Sequence, residues 1–153
     1  MNVHWAHWHQ HILAAAWMIS GLSNDAETNV GCVIVNRDGT PLALGHNGLP
    51  WGVQERPERL RRPTKYPWMV HAEVNAIAHA ARQGICIEGA VAFVTHHPCS
   101  RCAGALVNAG IVAVIHDRGT TAMPAEEFEI AAEIFKERGV LLTAASRLQN
   151  CPD

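Results

Sequence analysis

The chain has 153 residues and a formal charge of −2, and 48% of its residues are hydrophobic, a composition ordinary for one globular domain with a sizeable core. The slightly acidic balance gives no general attraction to nucleic acid or to an anionic membrane. The apolar stretches are too short to cross a bilayer, and the first residues lack the features of a secretory signal, so a single cytoplasmic domain over residues 1–153 is expected.

The first third of the chain predicts one helix and a hairpin. Apolar residues at helical spacing indicate a helix over residues 4–22, ending near Gly21. Two apolar runs on either side of the turn sequence RDGT predict paired strands at 29–36 and 41–46. Residues 47–69 are rich in proline and arginine and form a long loop, a feature that is usually functional.

The remaining chain alternates helices with strands. Helices are predicted at 71–83, 99–110 and 125–138, and strands at 89–95, 111–116 and 140–144. A full helix joins the last two strands, so they should be parallel with a right-handed crossover. The predicted fold is a three-layer α/β/α domain with a mixed five-stranded sheet.

A pair of cysteines at C-x-x-C spacing is the first sign of chemistry. Cys99 and Cys102 lie in the segment PCSRC, and the other three of the five cysteines are scattered. The spacing alone is compatible with half of a structural zinc site, with a redox pair or with two core cysteines. The chain has no second C-x-x-C that would complete a structural zinc site.

The segment HAE changes the balance between these interpretations. His71 with Cys99 and Cys102 supplies three nitrogen and sulfur ligands, which leaves one tetrahedral position for water, as in a catalytic zinc site. Glu73 could then move protons to and from that water. Both ligand segments begin predicted helices, whose N-termini favour thiolates. The alternative is that His71 and Glu73 are unrelated surface residues.

Together these motifs resemble the zinc-dependent cytidine/deoxycytidylate deaminase family, and most closely its deoxycytidylate (dCMP) branch. The pattern H-x-E with P-C-x-x-C is the signature of zinc nucleobase deaminases. The segments GHNG and KYPWMVHAEVNAI look particular to the dCMP branch, and the similar stretches cover most of residues 20–116. The resemblance implies a cytidine deaminase-like fold, one catalytic zinc ion and hydrolysis of dCMP to dUMP and ammonia.

The resemblance also implies roles for individual residues. His71, Cys99 and Cys102 would bind zinc, and Glu73 would be the proton shuttle. The backbone N–H of Ala72 would hold the pyrimidine carbonyl.

Three further residues have an ordinary structural alternative to a substrate contact. Asn47 would touch the sugar or base, although asparagine also forms turns in such a sequence. Arg82 matches an arginine near a subunit contact and the nucleotide, or it is an exposed arginine on a helix. His97 could contact the base or only support the site.

The chain departs from the family pattern at several positions. His46 replaces the usual tyrosine of the glycine loop, and Leu22 and Asn24 replace a basic pair that would attract phosphate. Basic residues of the long loop could compensate, or they could be solvated charges: Arg56, Arg59, Arg61, Arg62 and Lys65. Val53 stands where some relatives have a cysteine for a second zinc, so no second metal is predicted.

The expected partners are a small-molecule nucleotide and further copies of the chain, as a dimer or hexamer, with dCTP and dTTP as possible effectors. No membrane and no stable nucleic acid complex are expected. Alternative substrates are deoxycytidine, guanine and tRNA adenosine, and a structural zinc-binding module is the alternative outside catalysis. The histidines at 4, 7, 9 and 11 are predicted to be solvated or subunit-facing rather than metal ligands.

Overall fold

A five-stranded sheet with helices on both faces forms the body of the protein. The computed structural model describes residues 8–148. The strands are β1 (Gly31–Val35), β2 (Pro41–His46), β3 (Val91–His96), β4 (Ala113–Gly119) and β5 (Leu141–Ala144). The helices are α1 (His9–Ser20), α2 (Pro57–Leu60), α3 (Ala72–Gln83), α4 (Ser100–Asn108), α5 (Ala125–Arg138) and α6 (Ala145–Leu148). Among these helices, none is long and apolar enough to cross a bilayer.

The strand order is β2-β1-β3-β4-β5, and the sheet is mixed because it has both antiparallel and parallel pairs. β1 pairs antiparallel with both β2 and β3, which confirms the predicted hairpin. β3, β4 and β5 run parallel, which confirms the predicted relation of the last two strands. The carboxyl end of β3 therefore leads directly into the segment that carries both close-spaced cysteines.

Two apolar layers cover the sheet. Alternate residues of β1 point to opposite faces, so Cys32 and Ile34 join the layer under α3, α4 and α5, whereas Val33 and Val35 join the layer under α1 and α6. β1 and β3 are buried along their whole length, because both faces of the central strands are covered.

The differences from the sequence prediction are confined to short segments. The predicted helix at 4–22 is α1 within the described residues, and residues 1–7 lie outside them. The loop at 47–69 contains the single-turn helix α2 and a β-bridge between Gly48 and Val70. The prediction also missed α6, whose four residues are too few to give a periodic signal.

The N-terminal histidines do not form a common cluster in the part that the structure describes. His9 is buried and His11 is exposed, so the two rings have different surroundings. His4 and His7 lie outside the described residues.

Candidate active site

Two helix N-termini meet at one end of the sheet. α3 begins after His71, whose extended backbone is that of an N-cap, and ends at Gly84 in the left-handed conformation. α4 begins after Cys99, which is likewise extended, and Pro98 precedes it. The partial positive charge of both helix ends favours anions at this point.

Three potential metal ligands converge between these helix ends. The His71 Nδ1 atom lies 3.3 Å from Cys102 Sγ and 3.5 Å from Cys99 Sγ. All three ligand atoms lie within 4.8 Å of one another, and within residues 8–148 no fourth His, Cys, Asp or Glu joins this group. Both cysteines are buried, whereas His71 is partly exposed.

The electrostatics of the three groups suit a cation. The hydrogen bond from Cys102 is the main cause that lowers the pKa of Cys99 to about 4, and the bonds from His71 and the Cys102 backbone N–H add to it. The same thiol pairing, together with burial, raises the pKa of Cys102. The hydrogen bond to Cys99 raises the pKa of His71. Because metal-bound cysteines are deprotonated, a divalent cation bound here would take the place of the thiol proton.

The spacing also fits zinc. Zinc–sulfur and zinc–nitrogen bonds of about 2.3 and 2.1 Å at tetrahedral angles would separate nitrogen from sulfur by about 3.6 Å. The observed nitrogen–sulfur distances of 3.3 and 3.5 Å are close to that value. With three protein ligands, a tetrahedral ion keeps one position for water or substrate.

A buried carboxyl group stands beside the ligands. Glu73 lies in the first turn of α3 and is 4% exposed, and its side chain hydrogen-bonds Cys102. Burial is the main cause that raises the pKa of Glu73, which brings the carboxyl group closer to the range where it can both take and return a proton. His71 and Glu73 reach one site because His71 caps the helix rather than belonging to it.

A half-open cavity leads from the surface to these groups. His71, Ala72, Glu73 and Cys99 line its inner end. Asn47 also lines the cavity, but its amide is already engaged within the protein. Its Oδ1 accepts from the Val30 N–H at 2.7 Å, and its Nδ2 donates to the Thr28 carbonyl at 2.8 Å.

A buried ion pair lines another part of the cavity. Lys65 Nζ lies 2.6 and 2.7 Å from the two carboxylate oxygens of Asp25 and 3.1 Å from Glu27. The side chains of Lys65 and Asp25 are 5% and 4% exposed. This pair ties the long loop to the segment before β1. From the sequence, Lys65 was expected to be either a phosphate ligand or a solvated charge, and Asp25 was not predicted as a site residue.

The remaining predicted substrate contacts lie at different distances from the site. His97 lines the cavity, and its Nδ1 donates to the Pro98 carbonyl at 2.8 Å, so Nε2 is the ring nitrogen left to contact a substrate. Arg82 lies in the last turn of α3 with its guanidinium 4.2 Å from the ring of Trp51, and it is not among the described residues that line the cavity.

Gly45 in β2 was not predicted as a site residue, yet it sets the position of α3. A Cβ atom on Gly45 would lie 2.2 Å from the Ala72 carbonyl oxygen and 2.4 Å from the Ala76 nitrogen. The Asn75 side chain adds a hydrogen bond of 2.8 Å to the His46 carbonyl. The helix that carries Glu73 therefore rests directly on the backbone of β2. Gly45 belongs to the segment GHNG that the sequence analysis compared with the family, but only the contact with α3 shows why a glycine is needed there.

A three-layer α/β/α fold with a three-ligand zinc site beside a buried carboxyl group defines a zinc-dependent hydrolytic enzyme. The sequence model described as the cytidine and deoxycytidylate deaminase zinc-binding region matches residues 6–118. The chain therefore belongs to the cytidine and deoxycytidylate deaminase family.

Individual relatives agree with this placement. Deoxycytidylate deaminase of Mus musculus is 30% identical over 142 residues, with 85% of this chain and 79% of that protein covered. ComE operon protein 2 of Bacillus subtilis is 32% identical over 135 residues, covering 87% and 68% respectively. The crystal structure of dCMP deaminase from cyanophage S-TIM5 with dCMP and dUMP superposes with a TM-score of 0.77 at 26% identity, covering 89% of this chain and 95% of that one.

Proposed function

We propose that the protein hydrolyses dCMP to dUMP and ammonia. The observation that carries the proposal is the convergence of His71, Cys99 and Cys102 beside the buried carboxyl group of Glu73 at the inner end of a cavity. The similarity to the mouse enzyme and to the cyanophage enzyme with dCMP and dUMP supports the choice of substrate. We take residues 1–153 as one catalytic domain.

Glu73 performs the proton transfers in this mechanism. When bound by His71, Cys99 and Cys102, zinc supplies a water molecule of lowered pKa. Glu73 would hold the proton taken from the water that adds to C4 and deliver it to N3 of the pyrimidine. Glu73 then transfers the second proton to the amino group at C4, the C4–N bond breaks, and ammonia leaves.

Backbone and ring groups orient the base. Ala72 is the first residue of α3, so its N–H has no acceptor within the helix and can donate to the pyrimidine carbonyl oxygen. The His97 ring packs 4.7 Å from the His116 ring and 5.3 Å from the Phe128 ring, which fixes its orientation toward the cavity. We assign Asn47 a shared role, in which it holds the segment before β1 and meets the sugar or base.

We assign the phosphate to Arg62 rather than to Lys65. Lys65 is buried against two carboxylates, whereas the Arg62 side chain is 34% exposed and lines the cavity. Arg62 also donates to the Thr28 hydroxyl at 3.1 Å, so a phosphate placed there would meet a guanidinium and a hydroxyl group. Arg62→Ala should raise the KM for dCMP about tenfold or more and leave the KM for deoxycytidine unchanged. Arg61→Ala, an exposed neighbour, is the control.

A second candidate is deamination of the unphosphorylated nucleoside, deoxycytidine. It is favoured by one observation: Arg62 and Lys65 already face Glu27 and Asp25, so the cavity has little uncompensated positive charge. The deciding measurement is the ratio of kcat/KM for dCMP to that for deoxycytidine. Equal values would refute the phosphate assignment and leave the mechanism intact.

The main test combines a substrate screen with a variant of Glu73. Purified zinc-loaded protein is offered dCMP, CMP, 5-methyl-dCMP, deoxycytidine and guanine, with ammonia release and ultraviolet absorbance as readouts. Glu73→Gln should keep its zinc and lose activity by about 100-fold or more. Glu126→Gln, an exposed glutamate on α5, is the control. Full activity in Glu73→Gln would refute the role of Glu73 as proton shuttle, whereas a zinc-loaded wild type that turns over none of these substrates would favour a structural zinc-binding module.

The family resemblance supports three further proposals about the working protein. We expect a cytoplasmic homo-oligomer, a dimer or hexamer, in which Arg82 lies near a subunit contact. dCTP and dTTP are the effectors to test. Light scattering of the wild type and of Arg82→Ala tests the oligomer and the subunit contact, and dCMP turnover with and without each nucleotide tests the effectors.

A further inference from the structure

The first turn of α5 contacts the segment that carries the metal ligands from outside. Glu127 accepts hydrogen bonds from the Ser100 backbone N–H at 3.3 Å and from the Ser100 hydroxyl at 2.5 Å. Ser100 is the first residue of α4 and lies between Cys99 and Cys102. The two residues are 27 positions apart in the chain. Ser100 lies inside the region that the family's sequence model matches, residues 6–118, and Glu127 lies beyond it.

A second contact from the same turn holds the other side of Cys99. The Phe128 ring lies edge-on to His97, with centroids 5.3 Å apart and planes at 73°. His97 precedes Cys99 by two residues, and Ser100 follows it. Glu127 and Phe128 therefore hold the chain on both sides of this ligand.

α5 is well suited to act as a support. Its residues Ala131 and Phe135 are fully buried in the same apolar layer as Ala103 and Leu106 of α4. The two helices thus share a core, so the position of Glu127 relative to α4 is fixed by packing. The carboxylate also lies at the N-terminus of α4, where negative charge is stabilised by the helix dipole.

We infer that Glu127 is a positioning residue for the metal site: it holds Ser100 so that Cys99 and Cys102 keep the separation that zinc requires. Groups that orient metal ligands through hydrogen bonds typically change metal affinity by 10–100-fold when removed. Glu127 acts through Ser100 rather than on a ligand directly, so an effect near the lower end is expected. The inference rests on the zinc site of the proposed function, but it does not depend on the substrate.

The test measures zinc affinity by competition with a chromophoric chelator, in the absence of any nucleotide. Glu127→Ala should weaken zinc binding about tenfold. Glu127→Gln should recover most of the affinity, because its amide oxygen can still accept from Ser100. Glu126→Gln, an exposed glutamate one position earlier, should bind zinc like the wild type. Circular dichroism of each metal-free variant checks that the fold is retained.

A double-mutant cycle with Ser100→Ala separates positioning from general destabilisation. Coupling between the two sites is expected, so the double variant should bind zinc about as weakly as Glu127→Ala. Zinc affinity of Glu127→Ala within about twofold of the Glu126→Gln value would overturn the inference. If Glu127→Ala does not fold, Ser100→Ala decides alone: weakened zinc binding supports the inference, and unchanged binding overturns it. Failure of the deaminase assay with intact zinc affinities would instead count against the proposed function.

Discussion

Replacing Gly45 by alanine should move the catalytic helix without touching any group that contacts the substrate. The added Cβ would lie 2.2 Å from the Ala72 carbonyl oxygen and 2.4 Å from the Ala76 nitrogen, whereas ordinary contact begins at 3.4 Å. Both atoms are backbone, so no side chain can turn away. The start of α3 must therefore withdraw from β2 by roughly 1 Å or strain the sheet.

This displacement should reduce catalysis strongly. His71, Ala72 and Glu73 all lie at the start of α3, and a misplacement of about 1 Å typically lowers the rate by about 100-fold. The overpacking itself should cost about 1–3 kcal/mol of stability. We expect kcat/KM for dCMP to fall by that factor in protein that is still folded, measured well below its melting temperature.

Gly104→Ala is the matched control for this variant. Gly104 lies inside α4, and a Cβ there would meet no atom within 4 Å beyond its chain neighbours and the backbone of its own helix. Because alanine has a higher helix propensity than glycine, this change should be neutral or stabilise the protein by about 0.5–1 kcal/mol. A folded Gly45→Ala protein with kcat/KM within about threefold of the wild type would refute the reasoning that Gly45 positions the helix.

Two further predictions concern stability. Lys65→Met should lower the free energy of unfolding by about 3–5 kcal/mol in urea titrations, because it leaves the buried Asp25 without its cationic partner. Lys136→Met, which changes an exposed lysine, is the control. A loss below about 1 kcal/mol in Lys65→Met would contradict this prediction. Burial lowers the pKa of His116 in the folded protein, so the unfolded chain takes up a proton on this histidine at a higher pH than the folded protein does. The free energy of unfolding should therefore fall as the pH drops below about 6.5. In metal-free protein, His116→Gln should reduce this loss of stability, and His11→Gln, which changes an exposed histidine, should not. If the free energy of unfolding depends on pH equally in both variants, His116 is not the group responsible.

The sequence predicted the parts of this molecule that depend on neighbouring residues. The β-branched run before the turn at 37–40 predicted β1, and Gly84 and Gly139 marked the ends of α3 and α5 as the structure has them. The spacing of Cys99 and Cys102 limited the choices of chemistry, and His71 with Glu73 pointed to a catalytic metal. The strand and the helix ends are each marked by residues beside them, whereas the metal site was predicted by joining two short motifs that the family pattern pairs.

Contacts between distant elements could not be read in this way. Glu127 in α5 is one acidic residue among several, and only the packing of α5 on α4 brings it to Ser100. Lys65 belongs to a basic loop, where a solvated charge is the usual outcome, yet the fold buries it against Asp25. No local pattern distinguishes these two side chains from their exposed neighbours.

Gly45, Glu127 and Lys65 support the site through different elements, so the loss of each should affect a different measurable property. Gly45 fixes where α3 starts, so its loss should appear in kcat. Glu127 fixes the turn between the two thiolates, so its loss should appear in zinc affinity before it appears in the rate at saturating zinc. Lys65 pairs with the buried Asp25, so its loss should appear first in stability. Because these residues contact different elements and have no contact residue in common, their effects on the free energy of unfolding should add when the variants are combined. Strong coupling between Gly45→Ala and Glu127→Ala would show instead that the two helix ends move as one unit through the metal.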